Sequence, residues 1–256
     1  MSKTLTFQKL AEQDYATREA FNSLRTNLSF CGDEVKVVMF TSCTPDEGKS
    51  TVTLDLARSL GEDNKKVILL DCDLRKSVMV GHNGITADET IYGLSHYLSG
   101  QKKEADVIYS TNMPNVDVIL AGHVVPNPTE LLNNHYFEKL ISSLRERYDM
   151  VLVDCPPVGW VIDAAVVAPK CDGTIIVIES GNNSYHFLQD IKKQLELTGC
   201  RILGAVVNKV DLGKGGYYNH HYYGGKYGKY GKYGKYGKYS KYGNKYGVYE
   251  KYGDDV

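Results

Sequence analysis

Between residues 35 and 208, short and nearly continuous apolar runs alternate with stretches whose apolar residues recur every three or four positions. The runs lie at 35–42, 66–72, 115–121, 149–154, 173–179 and 200–208 and are rich in Val, Ile and Leu. Runs of that length and composition predict strands of a parallel sheet buried on both faces. Between them the spacing predicts a helix after Gly48 and another from about Asn127. In the second, Pro128 suits the first helical position and Glu130 completes a capping-box-like pattern. A third helix, over 184–198, places Phe187, Leu188, Ile191 and Leu195 on one face and Lys192, Lys193 and Glu196 on the other. Upstream, Ala16, Ala20, Phe21, Leu24 and Leu28 predict a helix over 14–30 capped by Asp14. This alternation implies right-handed crossovers and an α/β fold with a doubly wound, mostly parallel sheet. Residues 77–112 lack a clear period and are expected to hold loops or short helices above the sheet.

The pattern ends at Gly213, beyond which Val248 and Val256 are the only aliphatic residues. No core can offset the ordering entropy of such a segment, so a disordered C-terminal tail is expected over 213–256. The chain divides on this reading into an N-terminal helical segment (1–33), an α/β domain (34–212) and the tail. Thirteen of the 20 tyrosines lie in that tail: Tyr217, Tyr218, Tyr222, Tyr223, Tyr227, Tyr230, Tyr233, Tyr236, Tyr239, Tyr242, Tyr246, Tyr249 and Tyr252. Most are spaced three apart by Gly and Lys, and their exposed hydroxyls make them candidate phosphate acceptors if the same chain activates a phosphate donor. Residues 217–256 carry eight Lys against Glu250, Asp254 and Asp255, net +5, which leaves −6 on the remainder of a chain whose total is −1. A basic aromatic tract of this kind is suited to anionic lipid or single-stranded nucleic acid when nothing else in the chain explains it.

Six cysteines show neither a CxxC pair nor metal-ligand spacing with His, which fits a reducing cytoplasm without structural disulfides. No apolar run approaches the ~18 residues of a membrane span, and the first residues do not form a secretion signal. Membrane association is therefore expected only through a partner or a surface contact.

After the first long strand comes Ser42-Cys43-Thr44-Pro45-Asp46-Glu47-Gly48-Lys49-Ser50-Thr51, whose Gly48-Lys49-Ser50 ends a P-loop. In such a loop, backbone N–H groups and the helix N-terminus cradle phosphates, with Lys49 reaching the β- and γ-phosphates and Ser50 ligating Mg²⁺. Two further strands end in acids: Asp71-Cys72-Asp73-Leu74-Arg75 and Asp154-Cys155-Pro156-Pro157. Carboxylates at the C-terminal ends of strands in an open α/β sheet can hold Mg²⁺ and position a nucleophile. Asn208-Lys209-Val210-Asp211 admits a guanine-recognition reading, but Asn208 alone can contact adenine. The Asp71-x-Asp73 motif is not usual in small GTPases, so ATP is preferred over GTP.

Together these residues resemble the bacterial tyrosine autokinases of capsular and exopolysaccharide biosynthesis, in the version where a cytoplasmic kinase and its membrane activator are separate chains. The resemblance runs over essentially the whole chain. It rests on the P-loop, on Asp71-x-Asp73-x-Arg75, on the strand ending Asp154-x-Pro156, on Leu24-Arg25-Thr26-Asn27-Leu28, on Pro126-Asn127-Pro128-x-Glu130-Leu131-Leu132, and on the terminal tyrosines. It implies a MinD-like P-loop NTPase fold, without the HRD or DFG signatures of eukaryotic protein kinases. Lys49 and Ser50 would bind ATP phosphates and Mg²⁺, Asp73 and Asp154 would position the metal, and Asp71 would act on the incoming tyrosine hydroxyl. Arg75 would support the site, and Pro45, Asp46, Glu47, Gly48, Thr51 and Asn208 would complete the nucleotide contacts.

The resemblance further implies trans-phosphorylation of the tail within a homo-oligomeric ring, a transmembrane polysaccharide co-polymerase or adaptor, and a phosphotyrosine phosphatase. It places the chain at the inner face of the cell membrane and expects no nucleic acid. Asp46 stands where relatives often have Gly. Glu19, Asn22 and Arg25 stand where the family's oligomerisation motif has Glu, Arg and Arg, and share one helical face at i, i+3 and i+6. A different class remains open: a MinD/ParA-like switch ATPase whose tail binds membrane or nucleic acid.

Overall fold

Successive residues of a strand face opposite ways, and the buried strand residues here divide accordingly into two cores. Val37, Met39, Ile68, Leu70, Val151 and Val153 pack on one side of the sheet, and Val38, Phe40, Leu69 and Leu152 on the other. The computed structural model describes residues 3–87 and 89–211. The tail expected over 213–256 lies outside the described residues. So does every candidate acceptor in it: Tyr217, Tyr218, Tyr222, Tyr223, Tyr227, Tyr230, Tyr233, Tyr236, Tyr239, Tyr242, Tyr246, Tyr249 and Tyr252.

Among the described residues, nine strands form one sheet in the order β4-β1-β5-β6-β3-β7-β2-β8-β9: β1 (Thr4–Phe7), β2 (Val37–Ser42), β3 (Val67–Asp71), β4 (Ile85–Thr86), β5 (Tyr109–Thr111), β6 (Val116–Ile119), β7 (Met150–Asp154), β8 (Gly173–Glu179) and β9 (Ile202–Asn208). The six strands expected from the apolar runs form one continuous parallel stretch, β6-β3-β7-β2-β8-β9. The other three continue the sheet at one edge, where β5 meets β6 and β4 meets β1 in antiparallel register. They are two to four residues long, too short to leave a period in the sequence. Thus the region 77–112, read as loops and short helices, also supplies two strands, and the segment before residue 14 supplies β1.

The helices are α1 (Tyr15–Ser29), α2 (Lys49–Glu62), α3 (Met79–Asn83), α4 (Leu94–Leu98), α5 (Glu104–Val107), α6 (Pro128–Leu132), α7 (His135–Arg147), α8 (Asp163–Val167) and α9 (Tyr185–Glu196). Asp14 caps α1 as expected, accepting the Thr17 N–H at 2.8 Å. The stretch after Asn127 behaves differently from a single capped helix. Asn127 donates to Glu130 Oε2 at 2.8 Å instead of capping, α6 stops after five residues, and Asn134 starts α7 by accepting the Phe137 N–H.

Helices α1 and α2 share a core with one sheet face, through Leu28, Val52, Leu56 and Leu60. Residues of α7, α8 and α9 cover the other, through Phe137, Leu140, Leu144, Val167, Ile191 and Leu195. Strand β7 lies between β3 and β2. This order sets the P-loop that follows β2 beside the ends of β7 and β3.

Candidate active site

The parallel register decides which side chains meet. Asp71 and Asp154 are the last residues of β3 and β7, and they lie opposite each other in the ladder. Both are about 1% exposed. Lys49 opens α2 directly after the P-loop, and its ammonium reaches into this corner. Its Nζ lies 3.4 Å from Asp154 Oδ1, 3.9 Å from Asp73 Oδ2 and 3.2 Å from Ser50 Oγ. Lys49, Ser50, Asp71, Asp73 and Asp154, all singled out from the sequence, are therefore brought together.

Electrostatics follow from one cation facing three carboxylates in a dry corner. Burial is the largest single influence on Lys49 and pulls its pKa down, but Asp154, Asp73 and Asp71 together outweigh it and the net shift is upward. Burial raises Asp154, against the opposing effect of Lys49. Asp71 is pushed up to about 7, first by burial and then by the charge of Asp154. Its carboxylate is oriented by a short hydrogen bond from the Ser77 hydroxyl to Oδ2 and by the Asp73 N–H, 3.2 Å from Oδ1.

The raised Asp71 pKa has a consequence for metal-free protein. The folded state keeps a proton that the unfolded chain releases near pH 4. Stability from this group is present below about pH 4 and is lost as pH rises through about 7. In EDTA, Asp71→Asn is expected to gain on wild type in urea unfolding progressively from pH 4 to pH 7 and to exceed it most at pH 8. A variant no more stable than wild type at pH 8 would contradict the assignment.

The P-loop is held by its own neighbours. Glu47 is fully buried: Oε2 accepts the Thr44 N–H at 2.8 Å, while Oε1 accepts the Glu179 N–H at 3.2 Å and a short bond from the Asn183 amide. Asn208, expected at the base, donates through Nδ2 to the Glu47 carbonyl at 2.9 Å. Lys209 Nζ reaches the Asp46 carbonyl at 2.6 Å and Glu179 Oε2 at 3.2 Å. The side chains of Glu47 and Asn208 are thus committed to bracing the loop, and any nucleotide contact from Glu47 is left to its backbone. Gly48 needs its lack of a side chain, because its φ is +86° and an added Cβ would collide with Asn208 Nδ2.

Asp46 has φ +64°, the left-handed region that favours glycine. Asp46→Gly is expected to stabilise the protein by about 0.5–1 kcal/mol, since Gly adopts this conformation without strain. It also removes a negative charge beside the phosphate loop, so Mg-ADP affinity should rise a few-fold. Thermal unfolding and nucleotide titration check both.

Arg75 does not point at the Lys49 corner. Its Nε and Nη2 form a fork on buried Asp163, at 2.6 Å to Oδ2 and 3.0 Å to Oδ1, and Nη2 also lies 3.1 Å from Thr129 Oγ1. Asp163, Thr129, Ser77, Glu179 and Asn183 were not singled out from the sequence. Asp163 did carry a signal, as a lone acid within the otherwise apolar stretch 158–168.

The oxygen donors suit a hard cation. Ser50, Asp73 and Asp154 lie around one ammonium with an excess of negative charge, the chemistry that Mg²⁺ takes. Among the described residues no three His, Cys, Asp or Glu side chains form an ion cage by themselves. Mg²⁺ in nucleotide sites usually completes its shell with phosphate oxygens and water.

Expected oligomerisation residues lie on α1. Asn22 donates to Glu19 Oε1 at 3.0 Å, and Arg25 donates to the Ser59 carbonyl at 3.0 Å and lies 3.7 Å from Asp63, both in the α2 region of the same chain.

Comparison with known proteins agrees with this geometry. A family model described as an AAA domain matches residues 36–201. Tyrosine-protein kinase CpsD of Streptococcus agalactiae is 42% identical over 208 residues, covering 81% of this chain and 90% of the relative. Among solved structures, the chimerical protein CapA2B2 superposes with a TM-score of 0.73 at 30% identity, covering 80% of this chain and 92% of the other. The kinase domain of the Escherichia coli tyrosine kinase ETK gives 0.69 at 34% identity, covering 76% and 78%. The septum site-determining protein MinD of Pyrococcus horikoshii, complexed with Mg-ADP, gives 0.58 at 28% identity, covering 68% and 70%, so the fold is MinD-like. With a P-loop, two acid-tipped strands and relatives of this closeness, the chain belongs to the bacterial tyrosine-protein kinases built on an AAA-type nucleotide-binding domain.

Proposed function

We propose that this kinase uses ATP and Mg²⁺ to phosphorylate its own tyrosine-rich C-terminal tail, in trans within a homo-oligomer, and thereby regulates capsule or exopolysaccharide synthesis and export. The observation that carries the reading is the convergence of Asp71, Asp73 and Asp154 on Lys49 at the mouth of the P-loop.

On this reading, phosphate oxygens replace the carboxylates as partners of Lys49, which then offsets charge on the transferred group. Ser50, Asp73 and Asp154 would hold Mg²⁺, which would supply charge neutralisation to the phosphates. The bond between the γ-phosphorus and the β,γ-bridging oxygen breaks, a bond to the tyrosine oxygen forms, and ADP leaves. Asp71 takes the phenolic proton. Its carboxylate is held for that role by the Ser77 hydroxyl and the Asp73 N–H.

The acceptors are assigned to the tail, from Tyr217 through Tyr252, on the strength of their number and spacing in the sequence. A flexible segment the length of the tail has an r.m.s. reach of roughly 35 Å, enough to enter a neighbouring subunit's site. Each phosphate adds about −1.5 to −2, so three or four would cancel the tail's net charge. We assign ring contacts to the face carrying Glu19, Asn22 and Arg25, with Arg25 exchanging its bonds to α2 for contacts across subunits. A transmembrane adaptor would bring the kinase to the inner face of the membrane, and a phosphotyrosine phosphatase would reset it. No helix among the described residues is long and apolar enough to cross a membrane.

The test incubates the full chain with Mg-ATP, with and without the adaptor's cytosolic segment, and maps phosphotyrosine by mass spectrometry. Tail phosphotyrosine that needs ATP supports the proposal. ATP turnover without any tail phosphate would instead favour a MinD/ParA-like switch ATPase.

A further inference from the structure

Three loops follow the C-terminal ends of neighbouring strands β6, β3 and β7, and one cluster around a buried carboxylate ties them together. Asp163, the first residue of α8, is 0% exposed. Its two oxygens accept Nε and Nη2 of Arg75 from the loop after β3. Thr129 of α6, beyond β6, donates its hydroxyl to Asp163 Oδ1 at 2.5 Å and accepts from Arg75 Nη2 at 3.1 Å. A buried carboxylate is tolerated only when it is paired and hydrogen-bonded, and a planar guanidinium fork is the partner that fixes both distance and orientation.

The Arg75 main chain leads from this anchor into the reacting corner. The N–H groups of Arg75 and Lys76 donate to Asp73 Oδ1 at 3.3 and 2.9 Å. That leaves Asp73 Oδ2 facing Lys49 at 3.9 Å. The Asp73 N–H in turn donates to Asp71 Oδ1. Both carboxylates that would handle the metal and the acceptor proton therefore take their orientation from a turn whose far end is clamped by Asp163.

We propose that Asp163 and Thr129 are positioning residues for phosphoryl transfer, and that Arg75 acts as the clamp between them and the Asp71–Asp73 turn, not as a contact to the phosphates. The proposal deepens the kinase reading and rests on it for the identity of the acceptor. Misplacement by about 1 Å at a site of this kind costs on the order of 100-fold in rate, without requiring lost substrate affinity.

The experiment compares full-length wild type, Arg75→Gln, Asp163→Asn, the double variant and Thr129→Val in Mg-ATP. It reads ATP turnover, tail phosphotyrosine, Mg-ADP affinity and thermal unfolding. Each of the first two single variants should lose about 10- to 100-fold in kcat, with KM for ATP and Mg-ADP affinity changed less than about 3-fold. The double variant should be no slower than the slower single one, because both remove the same clamp. Thr129→Val keeps the ion pair and should lose about 3- to 10-fold, which retains a readout if Asp163→Asn folds poorly. Wild-type kcat in folded Asp163→Asn beside a large loss in Arg75→Gln would overturn the proposal, as would losses that multiply in the double variant. Either result would place Arg75 on the phosphates. If wild type turns over ATP without labelling the tail, the kinase reading fails, and the clamp is still judged on turnover.

Discussion

Lys49→Met is expected to lower ATP turnover and phosphotyrosine formation by about 100- to 1,000-fold, the cost of removing one preorganised charge from a transferring group. Lys49 is the cation placed among Asp154, Asp73 and Asp71, and methionine keeps its length and apolar stem while removing the charge. The substitution also leaves two buried carboxylates without that neutralisation. In metal-free Lys49→Met the carboxylates of Asp71 and Asp154 should therefore hold more protons at pH 7 than in wild type, and stability should fall more steeply as pH rises. Steady-state turnover with Mg-ATP, and urea unfolding in EDTA at pH 6 and 8, check the two effects separately. Retained turnover would remove Lys49 from the reaction.

Glu47→Ala is expected to be the most destabilising change in the phosphate loop, at about 3 kcal/mol, or a fall in Tm of roughly 10 °C. Glu47 takes the Thr44 N–H, the Glu179 N–H and the Asn183 amide in a site closed to solvent. Alanine leaves those donors without their acceptor and opens a void between the P-loop and the end of β8. A loosened loop presents its N–H groups to phosphate with a larger entropic cost, so Mg-ATP affinity should weaken by at least about 10-fold. Glu47→Gln keeps the shape, but with its one oxygen on the Glu179 N–H and the Asn183 amide its NH2 faces the Thr44 N–H, so it should recover only part of the stability. Calorimetry and nucleotide titration check the pair. An alanine variant with wild-type Tm would mean that Asn208 and Lys209 hold the loop without Glu47.

Much of this arrangement is legible in the sequence because the parallel strands announce themselves. A strand buried on both faces needs an uninterrupted apolar run, and the acid that ends it stands out, as Asp71 and Asp154 do. Once those strands are taken as neighbours in a parallel sheet, their acids share one end, near the P-loop. The edge strands gave no such signal, because Thr4–Phe7, Ile85–Thr86 and Tyr109–Thr111 are too short for alternation to register.

Partners that depend on tertiary approach were also hidden. Nothing local distinguishes Ser77 from other loop serines, yet its hydroxyl lies on Asp71. Arg75 was read with the reacting groups because it shares their motif, whereas its guanidinium turns away to Asp163, 88 residues later. Asn208 likewise sits where a base contact was expected and is hydrogen-bonded to the P-loop backbone. The strained φ of Asp46 gives physical meaning to a departure that the sequence showed only as a missing glycine.

Site-resolved phosphotyrosine mapping tests the central claim, that the Lys49–carboxylate corner transfers phosphate to the chain's own tail. Full-length wild type, Lys49→Met, and a mixture of wild type with isotope-labelled Lys49→Met would be incubated with Mg-ATP and the adaptor's cytosolic segment. Several phosphates are expected among residues 217–252 of wild type, none on Lys49→Met alone, and labelling of Lys49→Met in the mixture. Equal labelling of Lys49→Met alone, or ATP consumption that leaves every tail tyrosine unmodified in wild type, would contradict it.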